Sequence, residues 1–474
     1  MAEYKLDSSV DNNKVFLVNY SELENRIDPH PYHKERFNVI SALEKIKCEQ
    51  LKKVAKFSKR ITNKVSDGDI YIGLENIESN TGSYIETESK DSVSSANIFV
   101  RDQILFPKLR PYLNKVYLAS FNGLCSTEFH ILESALDFLK NKYLYIYLQS
   151  NLVVSQTKHL MTGNTLPRLQ TEDIKNIPIP LPSLEIQNQI IQKYEQAYQQ
   201  KQQKEQKAKE LLASIDSYLL DKLGIELPEK DNSLQARIFT TNFSEVSGGR
   251  FDSFYNNQRY KFIDEQIELS VNKKYKLKEL CYPTSGVVYS RNDETDIGKA
   301  ILRANNITLE TNELNFESIR YVRESLNISD SLKLRKNDIL MSSASGSKEH
   351  VGKVAYIYED LDYYFGGFMT ILRQKDNRYN QKFLFEYLQS KIFREYLFKN
   401  LGGTNINNLS FSAIANLEIP LPPLTPAQAK TGEISQQEIV EHISAIRAEA
   451  KKLQEEAIAD LEATKAEIEK MILR

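Results

Sequence analysis

Two long stretches of the chain carry an apolar seam of helical period. In the first, Ile190, Tyr194, Ala197, Lys201, Lys204, Ala208, Leu211, Ile215 and Tyr218 recur in alternating steps of four and three. In the second, Ile439, Ile443, Ile446, Ala450, Leu453 and Ala457 do the same, and the pattern then skips to Leu461, Thr464, Ile468 and Met471. Heptad seams, one with a stutter, predict two long helices that pack as a coiled coil. Gly224 and Pro228 close the first helix. Its polar middle, Lys201 and Lys204, has two readings: a register device against a partner helix, or a solvated stretch between apolar ends.

Ahead of each helix the pattern changes to short β-branched and aromatic runs such as Ile70-Tyr71-Ile72 and Lys115 to Leu118, punctuated by Gly, Asn, Asp and Ser. These are strands and turns. A helical segment follows, Phe138 to Val153 and again Gln381 to Leu397. Proline-rich linkers come next, with Pro178, Pro180 and Pro182 in one and Pro420, Pro422 and Pro423 in the other. They hold the chain extended.

This order occurs twice, and so do the sequences that carry it. Val15 to Leu23 reappears as Ile238 to Val246, and Tyr71 to Ile77 as Ile301 to Ile307. Asp102 to Leu105 returns as Asn337 to Leu340, Lys115-Val116 as Lys353-Val354, and Tyr147 to Ser150 as Tyr387 to Ser390. Ile177 to Leu184 becomes Leu417 to Leu424. About nine additional residues, around Thr425 to Glu433, precede the second long helix. Like units joined head to tail in one chain pack about a pseudo-two-fold axis, which predicts antiparallel helices. A helix of this length is a rod of roughly 55–60 Å, longer than the ~34–36 Å of one duplex turn.

A length of 474 residues allows roughly two to four domains. Charged residues are 27% and hydrophobic ones 41%, the balance of a globular protein. No apolar run is long enough to span a bilayer, and Met1 to Val10 lacks the apolar core of a signal peptide, so a cytoplasmic location is expected. Cys48, Cys125 and Cys281 are far apart and odd in number, as suits reduced thiols. Net charge is −2, so any nucleic-acid surface must be local.

Enzyme chemistry finds little support. Neither a phosphate-cradling glycine loop nor an Asn/Asp-Pro-Pro-Tyr/Phe methyltransferase stretch is present. Asp69 with Glu88-Ser89-Lys90 mimics a nuclease metal site, but the second repeat has no counterpart of Glu88, and Glu205-Gln206-Lys207 shows how cheap the pattern is. His30 and His33 form a loose pair in a Pro-rich turn, better read as packing than as metal ligation.

With these phrases on the page, the chain resembles the specificity subunits of type I restriction-modification systems. The resemblance runs from about Val15 to Arg474. It rests on Arg250 to Tyr255 (RFDSFY), Ile104 to Val116 (ILFPKLRPYLNKV), Ile339 to Val354, and I-P-L-P ahead of a glutamine-bearing helix start. It implies an α/β (α+β) fold: two tandem target recognition domains, residues 1–182 and 228–424, separated by long antiparallel coiled-coil helices, residues 183–227 and 425–474, as a pseudo-two-fold internal repeat. It also implies that each domain reads one half of a split double-stranded DNA sequence. The helices would then space the half-sites and dock two methyltransferase (modification) subunits, with restriction/translocase subunits joining. No cofactor is expected in this chain. S-adenosylmethionine, ATP and Mg belong to the partners, which would methylate a flipped adenine.

For DNA contact, each head offers a basic stretch. Arg101, Lys108, Arg110 and Lys115 stand against Asp102; Lys333, Arg335, Lys336, Lys348 and Lys353 stand against Asp338 and Glu349. Phosphates need such charge, and base edges need Arg, Lys, Asn or Gln. The candidates are Lys108, Arg110, Asn114, Lys115, Asn164, Thr165 and Arg168 in the first half. In the second they are Ser343, Ser345, Ser347, Lys348, Lys353, Thr404, Asn405 and Asn407. The helix-seam candidates are Ile190, Tyr194, Leu211, Ile215, Ile439, Ile443, Ile446 and Leu453. A different class stays open, a coiled-coil scaffold that binds only protein, which the near-neutral charge favours and the two large loop-rich heads do not.

Overall fold

The computed structural model describes residues 7, 10–11, 15–18, 23 and 28–474, except 67, 88–94, 164, 232, 247–249, 309–310, 345–349 and 402–408. The chain divides into two compact units, Met1–Gln206 with Leu453–Arg474, and Lys207–Lys452. Each unit therefore holds part of both long helices, Leu184–Leu223 and Gln436–Ile472.

The first unit carries β1 (Cys48–Gln50), β2 (Ala55–Ser58), β3 (Ile61–Thr62), β4 (Tyr71–Ile72), β5 (Ala96–Phe99), β6 (Ile104–Pro107), β7 (Tyr117–Leu118), β8 (Gly123–Cys125), β9 (Phe129–Ser134) and β10 (Pro178–Pro180). An antiparallel sheet has the order β2-β9-β6-β7, a smaller one the order β3-β5-β8-β4, and β1 pairs with β10. The second unit carries β11 (Lys273–Lys276), β12 (Cys281–Ser285), β13 (Glu294–Thr295), β14 (Lys299–Leu302), β15 (Arg320–Val322), β16 (Ile339–Ser342), β17 (Val354–Tyr356), β18 (Tyr364–Phe365), β19 (Met369–Gln374) and β20 (Glu418–Leu421). Its sheets are β12-β19-β16-β17, β13-β15-β14-β18 and β11-β20.

The duplication extends to single hydrogen bonds. Tyr147 Oη donates to the Pro178 carbonyl at 2.7 Å, and Tyr387 Oη donates to that of Glu418 at 3.2 Å. Asn76 Oδ1 accepts from Gly73 N–H at 2.8 Å, and Asn306 Oδ1 accepts from Arg303 N–H at 2.9 Å. Ser150 and Ser390 each donate to the carbonyl of the tyrosine three residues earlier, at 2.6 Å. These serines also break the helices expected over 138–153 and 381–397. The segments are Asn141–Leu148 with Asn151–Thr157, and Gln381–Tyr387 with Lys391–Leu401. Ser150 is extended (φ −73°, ψ 157°), the backbone of a helix N-cap, and so restarts the chain.

One feature is not duplicated. β4 and β8 form a parallel pair, and so do β14 and β18 in the same register. In the first unit the antiparallel pair β3–β5 is added to the β8 edge of the parallel pair. In the second the antiparallel pair β13–β15 is added to the opposite edge, β14. The β18 edge is met instead by isolated bridges, Val287 to Gly366 and Leu334 to Leu361.

The core of each unit lies between its larger sheet, the short helices and the long-helix segments. Leu132, Tyr143, Tyr147, Ile190 and Ile468 pack together in the first unit, and Leu372, Phe383, Tyr387, Ile215 and Ile443 in the second. Within the first unit the helix segments run antiparallel: Lys193 pairs with Glu467 at 2.6 Å, and Lys204 with Glu456 and Asp460 at 3.0 and 2.8 Å. In the second, the Tyr218 and His442 rings lie 4.2 Å apart.

The glutamine at each helix start is a buried clamp. Gln187 Nε2 donates to the carbonyls of Phe138 and Pro182, and its Oε1 accepts from Lys140 N–H at 3.0 Å. Gln436 Nε2 donates to Pro422, and its Oε1 accepts from Asn380 N–H at 2.8 Å. Both glutamines are at most 1% exposed. The three cysteines are free, and burial pushes the thiols of Cys125 and Cys281 up to about 12. Among the described residues no helix is long and apolar enough to cross a membrane.

Candidate nucleic-acid interface

The loops after β6 and β16 sit at equivalent places because one bond holds each. Leu169 N–H donates to the Lys108 carbonyl at 2.9 Å, and Leu409 N–H to that of Ser343 at 2.6 Å. In the first unit this presents Lys108, half-buried, and Arg110 and Thr165, both exposed. Arg110 takes the left-handed region (φ 48°) while its N–H donates to the Pro167 carbonyl at 2.9 Å. Turns of this kind aim a side chain outward.

Five other sequence candidates do structural work instead. Asn114 is 3% exposed and donates to the Gln149 carbonyl at 2.9 Å. Lys115 Nζ donates to the Leu74 carbonyl at 2.9 Å. Its repeat counterpart Lys353 is 2% exposed and donates to the Ile307 carbonyl at 2.5 Å. Burial, helped by the charge of Arg394, depresses the Lys353 ammonium to about 8. Arg168 makes a two-pronged pair with Glu128 at 2.9 and 3.1 Å, so its fork is already occupied. Ser343 is 8% exposed and shares a hydrogen bond of 2.7 Å with Thr370. Asn164, Ser345, Ser347, Lys348, Thr404, Asn405 and Asn407 lie outside the described residues, as do Glu88 and Lys90 of the nuclease-like pattern. Asp69 of that pattern accepts from Ser66 N–H and closes a turn.

The seam residues lie on the two long helices. Ile190, Tyr194, Ile215, Ile439, Ile443 and Leu453 are buried, and Leu211 and Ile446 partly so. Beyond Leu461 the buried line passes through Lys465, Ile468 and Ile472 instead of Thr464 and Met471. Lys201 matches neither earlier reading. It is 4% exposed and pairs with Glu205 of its own helix at 2.7 Å and with Glu78 at 3.5 Å. A buried ammonium needs such carboxylates.

Each unit has a groove beside its equivalent turn, Gly73–Asn76 or Arg303–Asn306. The first, of about 440 Å³, is lined by Asp69, Glu75, Glu86 and Glu128 among apolar and small residues. The second, of about 750 Å³, is lined by Val287, Val288, Arg291, Glu294, Arg303 and Phe368. Val288 and Phe368 are 88% and 72% exposed. Sequence reading missed these two. The available signal was an apolar pair, Val287-Val288, in a turn-rich stretch, and a Gly-Gly-Phe run at 366–368.

Among the described residues His33, Glu35 and His159 bring ligand atoms within 4.8 Å of one another. The two imidazoles are stacked, 4.1 Å apart at 12°, so their in-plane lone pairs lie in parallel planes and do not converge on one ion. Glu35 instead accepts from Lys158, Ser155 and His159. Partial burial pushes its carboxyl up, but these donors outweigh burial and hold it at about 2. A carboxylate depressed in the folded state contributes stability that is complete above its ordinary range. That stability is lost as pH falls through the folded value. Glu35→Gln is therefore expected to flatten the stability profile between about pH 4.5 and pH 2. Denaturant titrations across that window check this; an unchanged slope would remove Glu35 as its source.

The sequence profile of the type I restriction modification DNA specificity domain matches residues 44–213 and 270–463. The EcoDI specificity subunit of Escherichia coli is 33% identical over 132 residues, 27% of this chain and 29% of that protein. The EcoKI specificity subunit of Escherichia coli K12 is 31% identical over 146 residues, 29% of this chain and 30% of that one. The MjaVIII specificity subunit of Methanocaldococcus jannaschii is 25% identical over 317 residues, 65% of each. The chain thus aligns with about three tenths of the length of the two E. coli relatives. Among solved structures, a chain of a type I R-M system has a TM-score of 0.48 at 18% identity, covering 90% of this chain and 97% of that one. The HsdS subunit from Thermoanaerobacter tengcongensis has a TM-score of 0.36 at 16% identity, covering 90% and 95%.

Proposed function

The chain belongs to the family of the type I restriction modification DNA specificity domain, and from that premise we propose that it is the DNA-reading subunit of a type I restriction-modification complex, with no catalysis of its own. Each unit reads one part of a split, asymmetric sequence in double-stranded DNA. Two methyltransferase subunits bound to the chain supply S-adenosylmethionine chemistry. Restriction/translocase subunits supply ATP- and Mg-dependent cleavage. The observation that carries this reading is a scaffold built twice, with equivalent hydrogen bonds at its turns and different chemistry around the same turn. A duplicated reader whose exposed surfaces have diverged reads two different sequences.

Selection from a random duplex library by the chain with its modification subunits, at near-physiological salt, tests the proposal. Enrichment of two unlike half-sites at a fixed gap is expected. A palindromic product would sink the asymmetric reading. No enrichment by an intact complex would favour a protein-only scaffold, since salt-dependent DNA binding is what separates the two.

A further inference from the structure

We propose that the groove at the β18 edge is where the second unit touches bases, with Val288 and Phe368 meeting thymine methyl groups and Arg291 meeting guanine. This rests on the DNA-reading assignment above and names the surface and the bases.

In the first unit β5 covers the β8 edge along Gly123–Cys125. In the second unit β15 pairs with β14, and among the described residues the equivalent edge at β18 is met only by short contacts, Leu334 N–H donating to the Tyr363 carbonyl at 3.1 Å and Val287 bridging to Gly366. Val287 N–H donates to the Phe365 carbonyl at 2.8 Å, and the chain then lifts away as Val288 to Arg291. The lifted segment and the Gly366-Gly367-Phe368 turn make the two walls of the groove. A Cβ on Gly367 would stand 3.0 Å from Val288 Cγ2, so the walls meet at their base.

The lining chooses the occupant. Two arginines face one carboxylate, Glu294, which is shared with Arg320 at 3.5 Å. Among the described residues Arg291 is exposed and its side chain makes no bond, whereas Arg303 Nη2 donates to the Ser318 carbonyl at 3.3 Å and its Nε is buried. The free donors of the Arg291 guanidinium are suited to the O6 and N7 acceptors of guanine, and exposed apolar side chains to the thymine methyl. At the position of Phe368 the first unit has Glu128, locked to Arg168, and its groove shows only carboxylates as charged groups. An anionic duplex suits the second lining.

The test uses the full chain with its modification subunits and a random duplex library. Arg291→Ala is expected to lower guanine preference at one position by roughly five- to a hundredfold, the range for a good bidentate contact. Phe368→Ser is expected to relax thymine preference in the same half-site, and Phe368→Leu to keep it. The other half-site stays as in the wild type, and thermal unfolding is unchanged because both side chains are exposed. Variants that fold and select the wild-type sequence in both halves overturn the inference alone. A wild-type complex that selects no sequence overturns the DNA-reading assignment and the inference with it.

Discussion

Replacing Arg373 by methionine is expected to destabilise the second unit by about 3–5 kcal/mol, the usual result of stripping a buried carboxylate of its partner. The Asp338 side chain is 2% exposed and Arg373 grips both its oxygens, at 2.8 and 2.7 Å. The same carboxylate accepts from Arg335 N–H at 2.9 Å and closes the turn into β16. The first unit shows a second solution on the same backbone. There Gln103 closes the turn by accepting from Val100 N–H at 3.0 Å, and its amide donates to Glu133 at 3.0 Å. Gln103 stands where Asp338 does, and Glu133 where Arg373 does. The pair Asp338→Gln with Arg373→Glu should thus recover most of the loss, to within about 1 kcal/mol of wild type. Denaturant unfolding of the three variants measures it. A double variant as unstable as Arg373→Met would show that the two turns are not interchangeable.

The second large effect is expected from Gly286→Ala. A Cβ there would stand 2.3 Å from the carbonyl oxygens of both Phe365 and Gly366. Backbone cannot yield as a side-chain tip can, so the segment must leave β18 and give up the Val287–Phe365 bond. Overpacking of this kind costs about 3 kcal/mol. It should also remove sequence preference in one half-site only, because the wall bearing Val288 is displaced. Equal loss in both half-sites, or unchanged stability, would contradict this account.

Much of the architecture is legible in the sequence because it rests on local or repeating signals. The seams through Ile190 and Ile439, the stop at Gly224 (φ +66°), and the repeat order need no long-range information. The candidate site was less legible, and the reason is physical. Lys115 and Lys353 look like phosphate ligands until the fold brings a carbonyl from some forty residues away within reach. Arg168 looks available until Glu128 faces it. The different strand orders of the two small sheets depend on which edge strands of two to four residues select, and strands that short carry too little pattern to specify a partner.

The glutamine clamps bear on how such a chain changes over time. Gln187 follows Pro182 by four intervening residues, whereas Gln436 follows Pro422 by thirteen, yet each amide finds the same proline carbonyl and the same backbone N–H. The phase of the helix is thus set by one side chain and not by a count of residues. Insertions and deletions between proline and glutamine are neutral to the seam, and length there is free to drift, while a single substitution at either glutamine is not.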